Sequence, residues 1–132
     1  SLSIKPKEIL KSRDYVLVYE NEDQIKNIKI DKELFDKKNI DPGGVVITAK
    51  GNNSDFVSRY FVPQCSFFED PVTGSTHCSL VPYWSKKLGK QKLTSMQLSE
   101  RGGEMFCIDK GDRVLINGKA QTYSVGEVFL KN

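Results

Sequence analysis

The sequence predicts an α+β domain in which a mixed, mostly antiparallel sheet curls around one central apolar helix. Two observations support this fold class. Short runs of β-branched and aromatic residues, separated by turn signals, dominate the 132-residue chain. The one long helical segment, which ends at Leu88, begins with two turns that are apolar nearly all round. Because a helix without a polar face has to be buried, strands wrapped around it are the arrangement that covers it.

The first 40 residues are predicted to form a short leading helix, a strand and two amphipathic helices. Lys5–Lys11 is the leading helix, and Tyr15–Tyr19 is typical of a buried strand. Asn21 is a suitable N-cap for a helix that extends to residue 28, and Asp31 caps another that extends to residue 37. Four side chains of these two helices are expected to point inward: Ile25, Ile28, Leu34 and Phe35.

Two further strands are predicted in the middle of the chain. The turn Asp41–Gly44 contains proline and glycine, and it is followed by the uninterrupted apolar run Val45–Ala49. Asp55–Val62 alternates two sets of side chains, which predicts a strand whose two faces meet different surroundings.

From residue 93 onward, the pattern predicts strands only. The predicted strands are Leu93–Leu98, Met105–Ile108, Val114–Ile116 and Tyr123–Leu130. The turns between them are Gly102-Gly103, Lys110-Gly111 and Asn117-Gly118. Because Asn-Gly is a strong signal for a two-residue hairpin, the last two strands are expected to pair with each other.

The long helix has recognisable signals at both ends. Thr73 or Ser75 can cap its N-terminus, and Gly89 follows the last helical residue as a natural C-terminal stop. Pro82 cannot donate to the Cys78 carbonyl and is expected to kink the helix. Since the neighbours of Cys78 are apolar, we expect its thiol to be buried and unreactive.

The composition argues against several classes of protein. The chain has 20 Lys+Arg and 17 Asp+Glu, a net charge of +3, and the two signs alternate along the chain, so nucleic acid is not an expected partner. No apolar run approaches the ~18 residues of a spanning helix and no signal peptide is evident, which predicts a soluble protein without a membrane partner. Three cysteines without a C-x-x-C pair favour reduced thiols and a cytoplasmic location.

The residue types also argue against a metal or an organic cofactor. The chain has one histidine, scattered cysteines and no carboxylate cluster, which is a poor ligand set for a metal ion. Neither a G-x-G-x-x-G motif nor a P-loop occurs in it. We therefore expect no metal site and no cofactor.

The segment that leads into the long helix carries the candidate chemistry. Pro71 keeps Asp70 out of helical geometry, and Gly74 allows a ligand to approach the backbone closely. The unpaired N–H groups of Gly74, Ser75 and Thr76 then lie at the positive end of the helix dipole, where a carboxylate or a phosphate binds. The alternative is that the polar residues of this segment only cap the helix. The dipole favours the charged form of Asp70, so an orienting or hydrogen-bonding role fits it better than general acid–base catalysis.

Four polar side chains are weaker candidates for catalysis or binding. His77 begins a buried helix, where burial and the dipole both disfavour a charged imidazole, so a neutral core histidine is a better interpretation than a catalyst. Arg59 and Arg101 could each hold an acid, although surface salt bridges explain them slightly better. Ser75 has no evident base beside it, so it is not expected to act as a nucleophile.

Four blocks of residues resemble one known family. In order along the chain they are Asp55–Pro63, Glu69–Cys78, Pro82–Trp84 and Arg101–Glu104. The Glu-Asp-Pro-Val-Thr-Gly-Ser run in the second block is distinctive. From about residue 45 to residue 120, the chain is similar to the phenazine-biosynthesis-like isomerase family, which is related to diaminopimelate epimerase.

The resemblance implies two pseudo-symmetric domains, each a sheet curled around a central apolar helix, with the active site in the cleft between them. In that family the helix N-termini grip the carboxylate of a small substrate, and a proton moves at carbon without a cofactor. By this correspondence, Gly74, Ser75 and Thr76 bind the substrate carboxylate. Asp70 assists a principal glutamate, which the N-terminal domain supplies, in proton transfer.

The matched blocks all belong to the family's C-terminal domain, and its principal glutamate has no counterpart here. Glu69 and Glu104 do not match the motif of that glutamate. The chain is thus interpreted as one domain, the C-terminal half of an isomerase that is inactive alone. Its expected partners are a small carboxylate substrate, the N-terminal domain of the same parent chain and a second copy in a homodimer. The alternative is a non-catalytic module that binds small carboxylates or a protein partner.

Overall fold

One mixed sheet with helices on both faces carries the architecture. The computed structural model describes residues 1–38 and 43–130. Their elements, in chain order, are β1 Glu8–Lys11, β2 Tyr15–Val18, α1 Glu22–Asn27, α2 Lys32–Asp36, β3 Val45–Lys50, β4 Phe56–Phe61, β5 Glu69–Asp70, α3 His77–Leu88, β6 Lys92–Gln97, β7 Gly103–Asp109 and β8 Val114–Asn117.

The eight strands form a single sheet in the order β1-β2-β3-β4-β6-β7-β8, and the short β5 pairs with β4. The β2–β3 and β4–β6 pairs are parallel. The other pairs are antiparallel. The predicted fold class, a mixed and mostly antiparallel sheet in an α+β domain, is therefore confirmed.

Alternation along the central strands divides the core between the two faces of the sheet. On one face, Leu80, Val81 and Trp84 of α3 pack against Val46 and Phe56. On the opposite face, α1 and α2 cover a second cluster. The members of that cluster that come from or follow these helices are Ile25, Ile28 and Phe35, all at most 5% exposed, as predicted. Leu34 was expected there too, but it is 47% exposed because α2 turns only Phe35 inward.

Helix α3 contacts strands from both edges of the sheet. Its backbone lies beside β6, β7 and β8. From the same helix, Tyr83 Oη and Lys87 Nζ donate to Glu8 of β1, over 3.2 and 3.0 Å. Between these contacts, Trp84 Nε1 donates to Thr48 Oγ1 over 3.0 Å. The helix stops at Gly89, which is left-handed with φ 66°, as its position in the sequence predicts.

One side of α3 is exposed, which corrects the expectation of a helix buried all round. The residues that face the sheet follow the spacing of one helical face: His77, Leu80, Val81 and Trp84. Cys78 and Pro82 lie four residues apart on the opposite side, and both are exposed. The prediction of a buried Cys78 is therefore wrong, because apolar neighbours in sequence do not share its face of the helix.

Two predicted elements are absent from the described residues. The leading helix 5–11 is wrong, since Glu8–Lys11 pairs antiparallel with β2 and forms an edge strand. The predicted strand Tyr123–Leu130 and its hairpin are also wrong, because residues 118–130 are neither helix nor strand. Of the predicted turn Asp41–Gly44, Asp41 and Pro42 lie outside the described residues.

Candidate functional site

The N-terminus of α3 is open to solvent. Thr76 is its N-cap and makes no side-chain capping bond, so the prediction of a cap by Thr73 or Ser75 is wrong. Gly74 and Ser75 are exposed, and the space that a side chain would fill at Gly74 is empty to 4 Å. The N–H groups of Gly74, Ser75 and Thr76 find no acceptor in the described part of the chain. Unpaired N–H groups at a helix N-terminus favour an anion.

Asp70 lies next to this helix N-terminus because β5 pairs with β4. The register places Asp70 opposite Tyr60, whose side chain belongs to the α3 face of the sheet. Asp70 is partly exposed, and its Oδ2 accepts a hydrogen bond from Thr73 Oγ1. Since Gly74 follows Thr73 directly, this bond ties the carboxylate to the residue that precedes the open N–H groups.

Gln97, at the end of β6, holds the segment between Asp70 and Thr73 in place. Its side chain is fully buried. Gln97 Oε1 accepts from the Thr73 N–H over 2.8 Å, and Nε2 donates to the Asp70 carbonyl over 2.7 Å. Nε2 also lies 3.1 Å from Thr73 Oγ1. One amide thus fixes both ends of this segment.

Two further contacts hold the middle of the segment. Ser99 Oγ donates to the Pro71 carbonyl over 2.7 Å and accepts from the Gly102 N–H over 3.1 Å. Val72 packs on Gly103 so closely that a Cβ there would lie 2.3 Å from Val72 Cγ2. Because that distance is shorter than any van der Waals contact, only glycine fits at the start of β7.

His77 is a structural link between α3 and β6. It is fully buried, with Nδ1 2.9 Å from the Thr73 carbonyl and Nε2 2.8 Å from Ser95 Oγ. Because a carbonyl only accepts, Nδ1 carries the proton, and Nε2 accepts from the serine. Burial lowers the pKa of His77, and the bond to Thr73 acts in the opposite direction. The predicted burial of the imidazole is confirmed, and it is not exposed to a ligand in solution.

Thr76 contributes less to an anion site than the sequence implied. Its side chain is 1% exposed, and Oγ1 donates to the Thr73 carbonyl over 2.9 Å. The hydroxyl is therefore engaged inside the protein, and only the backbone N–H of Thr76 lacks an acceptor among the described residues.

Arg59 lies on the opposite face of the sheet from α3. Its Nε and Nη2 donate to the two carboxylate oxygens of Glu69 over 2.7 and 2.8 Å, and Nη1 donates to the Ile25 carbonyl over 3.1 Å. The salt-bridge interpretation of Arg59 is thus correct. The salt bridge with Arg59 engages both carboxylate oxygens of Glu69. The other glutamate, Glu104, accepts a hydrogen bond from Lys119 Nζ over 2.9 Å. Each of the two glutamates therefore has a cationic partner on this chain.

The segment from Asp70 to Thr73, which Gln97 and Ser99 hold in place, is called the anchored segment below. A surface pocket of about 470 Å³ adjoins it and is lined by Glu69, Pro71, Ser99, Glu100 and Arg101. Arg101 is exposed and forms no ion pair with the described residues, which contradicts the surface salt bridge expected for it.

A larger pocket, about 580 Å³, lies at the far end of α3 beside Lys90 and contains none of the predicted site residues. Within the described ranges, no group of three or more His, Cys, Asp or Glu side chains could hold a metal ion.

Sequence reasoning missed Gln97 and Ser99. A signal for Gln97 was present, because Leu93, Ser95 and Gln97 alternate along a strand and share its buried face. A long polar side chain at the end of such a face needs buried partners. The sequence could not show that those partners belong to the segment containing Asp70, 24 to 27 residues away.

Fold and site together define an α+β domain in which a carboxylate lies beside a helix N-terminus with unpaired N–H groups. The chain belongs to the phenazine biosynthesis-like protein family, whose model matches residues 6–126. No helix among the described residues has the length and apolar character needed to cross a membrane.

Relatives of this chain are about twice as long. An uncharacterized isomerase of Pseudomonas aeruginosa is 42% identical over 131 residues, which are 98% of this chain and 49% of the relative. A crystal structure of a phenazine biosynthesis PhzC/PhzF protein from Clostridium difficile matches with a TM-score of 0.84 and 44% identity, over 96% of this chain and 49% of that one. A PhzF-family structure from Enterococcus faecalis matches with a TM-score of 0.86 and 39% identity, over 98% and 49% of the two chains. The chain thus spans about half the length of these relatives.

Proposed function

We propose that this chain is the C-terminal half of a cofactor-independent isomerase that transfers a proton at a carbon atom of a small carboxylate substrate. The observation that carries the proposal is the Asp70 carboxylate anchored beside unpaired helix N–H groups. Family membership and relatives named isomerases support it. The contacts of α3 with β1 and with β6–β8 also support a sheet curled around a central helix.

In this proposal the site divides binding from chemistry. The N–H groups of Gly74, Ser75 and Thr76 bind the substrate carboxylate at the positive end of α3. This fixes the adjacent carbon near Asp70, whose carboxylate assists the removal or return of a proton. Binding the carboxylate to N–H donors also stabilises the negative charge that develops when the carbon loses its proton.

The principal acid–base group would come from a second, N-terminal half of the same parent chain. The engagement of both carboxylate oxygens of Glu69 by Arg59 supports this, and the partner of Glu104 is the exposed Lys119. The half described here would then form one wall of the active-site cleft and would be inactive alone. A homodimer is a further proposed assembly. The free thiols of Cys65, Cys78 and Cys107 are compatible with the proposed cytoplasmic location.

Carboxylate binding can be tested on the chain itself. We expect titration of the ¹⁵N-labelled chain with lactate to shift the amide resonances of Gly74, Ser75 and Thr76 most. Ser75→Glu places a competing carboxylate at the helix N-terminus and should abolish those shifts. Gln91→Glu adds the same charge at the far end of α3, where residue 91 is exposed, and should leave them unchanged.

Two other outcomes point away from this site. Shifts confined to the pocket beside Lys90, or shifts that survive Ser75→Glu, would contradict carboxylate binding at the helix N-terminus. A chain that binds no lactate at all favours the alternative of a protein-interaction module. A non-catalytic carboxylate-binding module would give the expected shifts, and only exchange of a carbon-bound hydrogen with solvent distinguishes the isomerase from it.

A further inference from the structure

We propose that Gln97 is a positioning residue that acts through Thr73. It keeps Oδ2 of the Asp70 carboxylate in a hydrogen bond with the Thr73 hydroxyl, so only Oδ1 is left to exchange a proton with a ligand. The inference rests on the proposed function, because it specifies which atom of Asp70 takes part in proton transfer. It is carried by the buried hydrogen bonds that join β6 to the anchored segment.

The orientation of the Gln97 amide has a single solution. Its Oε1 faces the Thr73 N–H, which can only donate, and its Nε2 faces the Asp70 carbonyl, which can only accept. Exchanging the two ends of the amide would place donor against donor and acceptor against acceptor. Since the side chain is fully buried, water cannot relieve such a mismatch.

The amide in turn sets the direction of the Thr73 hydroxyl. Nε2 of Gln97 has a second proton, and the other acceptor within reach is Thr73 Oγ1, 3.1 Å away. The hydroxyl therefore accepts from Gln97, and its own single proton is directed to Asp70 Oδ2. Chains of hydrogen bonds that run in one direction strengthen one another, so this donor is stronger than an isolated hydroxyl.

Asp70 then has two unlike oxygens. Oδ2 always accepts from Thr73, whereas Oδ1 has no hydrogen-bond partner among the described residues. A proton taken from a substrate carbon would go to Oδ1, while the electron pair of the broken C–H bond stays on the substrate. The reverse step returns the proton from Oδ1 to carbon. With Oδ2 fixed, the carboxylate cannot rotate to exchange its oxygens, so the direction of proton transfer is fixed as well.

Nuclear magnetic resonance on the 132-residue chain tests this inference without a substrate. We expect the Thr73 hydroxyl proton to give a slowly exchanging, downfield resonance, because Thr73 is only 7% exposed and donates to a carboxylate. Gln97→Glu keeps an acceptor for the Thr73 N–H but removes both donors. The hydroxyl should then turn to the introduced carboxylate, which moves its resonance and shifts the ¹³C signal of the Asp70 carboxyl at constant pH. Gln91→Glu is the matched control and should move neither signal.

A second pair of variants applies if the buried charge of Gln97→Glu prevents folding. Thr73→Ser keeps the hydroxyl and should retain the parent's Asp70 carboxyl signal, whereas Thr73→Val removes the donor and should shift it. An Asp70 carboxyl signal that is the same in the parent, Thr73→Val and folded Gln97→Glu would overturn the inference. Failure of the proposed isomerase activity would leave these signals unaffected, so the two failures are distinguishable.

Discussion

Every polar atom of Thr73 is engaged. Its N–H and Oγ1 meet Gln97, and its carbonyl accepts from both His77 and Thr76. The remaining hydroxyl proton is donated to Asp70. A residue held by this many buried bonds has one conformation, so the groups that flank it are preorganised. This single residue therefore determines how the carboxylate and the helix N-terminus are placed relative to each other.

His77 should make the chain less stable in mild acid. Burial lowers its pKa in the folded state, whereas an unfolded histidine has a pKa of about 6.5. Below that pH the unfolded chain binds a proton that the folded chain does not, so the free energy of unfolding falls as the pH falls. Stability from neutral His77 is present above about pH 6.5 and is lost toward the lower folded-state pKa.

Urea unfolding at pH 7.5 and at pH 5.5 measures this effect. Because the chain has one histidine, the variant His77→Gln isolates its contribution. The parent should lose about 1 kcal/mol more than the variant between the two pH values. Equal losses in the two proteins would show that His77 binds its proton equally well in the folded and the unfolded chain, and would contradict a buried neutral imidazole.

At the residue scale, the sequence predicts the surroundings of a side chain well when these are local. Burial and charge alone are enough to predict that His77 is buried and neutral and that Arg59 forms a salt bridge. Cys78 was assigned wrongly because its exposure depends on which side of α3 meets the sheet. Gln97 was missed because its partners come from a distant segment, and only the folded chain brings them together.

Elements with strong periodicity or clear end signals are also predictable. The helix caps Asn21 and Asp31 accept the expected N–H bonds, from Gln24 and Leu34. Strand β5 and strand β1 were not predicted. Both are short edge segments whose conformation comes from pairing with a neighbouring strand rather than from their own residue pattern.

The segment 121–130 is the element most open to a partner. Five large apolar side chains of this segment are each at least 86% exposed: Tyr123, Val125, Val128, Phe129 and Leu130. Their spacing along the chain follows only in part the alternation of a strand. The family model covers this stretch as far as residue 126. Because exposed apolar side chains at this density are typical of interaction surfaces, we expect the segment to contact a partner. They are suited to the proposed N-terminal half or to a second copy.

Ending the chain at Ala120 should therefore separate stability from association. Because the removed side chains are exposed, we expect the free energy of unfolding to change by no more than about 0.5 kcal/mol. Sedimentation should show self-association of the parent at high concentration and a monomer for the shortened chain. A parent that stays monomeric, or a shortened chain that unfolds much more easily, would contradict this role of the segment.

In the whole molecule, the two faces of the sheet pack against different helices and have different roles. Helices α1 and α2 close one face with an apolar cluster. The other face holds α3, whose N-terminus, together with the anchored Asp70, stays open at one end of the sheet. In the proposed function, this face supplies one carboxylate and one helix N-terminus that bind the substrate. Transfer of a proton between two faces of a carbon atom needs a second acid–base group opposite it.

Solvent exchange of a carbon-bound hydrogen tests that account most directly. The two-domain protein that the proposal requires would be incubated in deuterium oxide with a panel of small carboxylic acids that have an acidic C–H bond. We predict deuterium at carbon in at least one acid, a rate lowered about 100-fold by Asp70→Asn, and an unchanged rate for the exposed control Asp112→Asn. Turnover without deuterium in the product, or an Asp70→Asn variant that exchanges at the parent rate, would contradict proton transfer at this site.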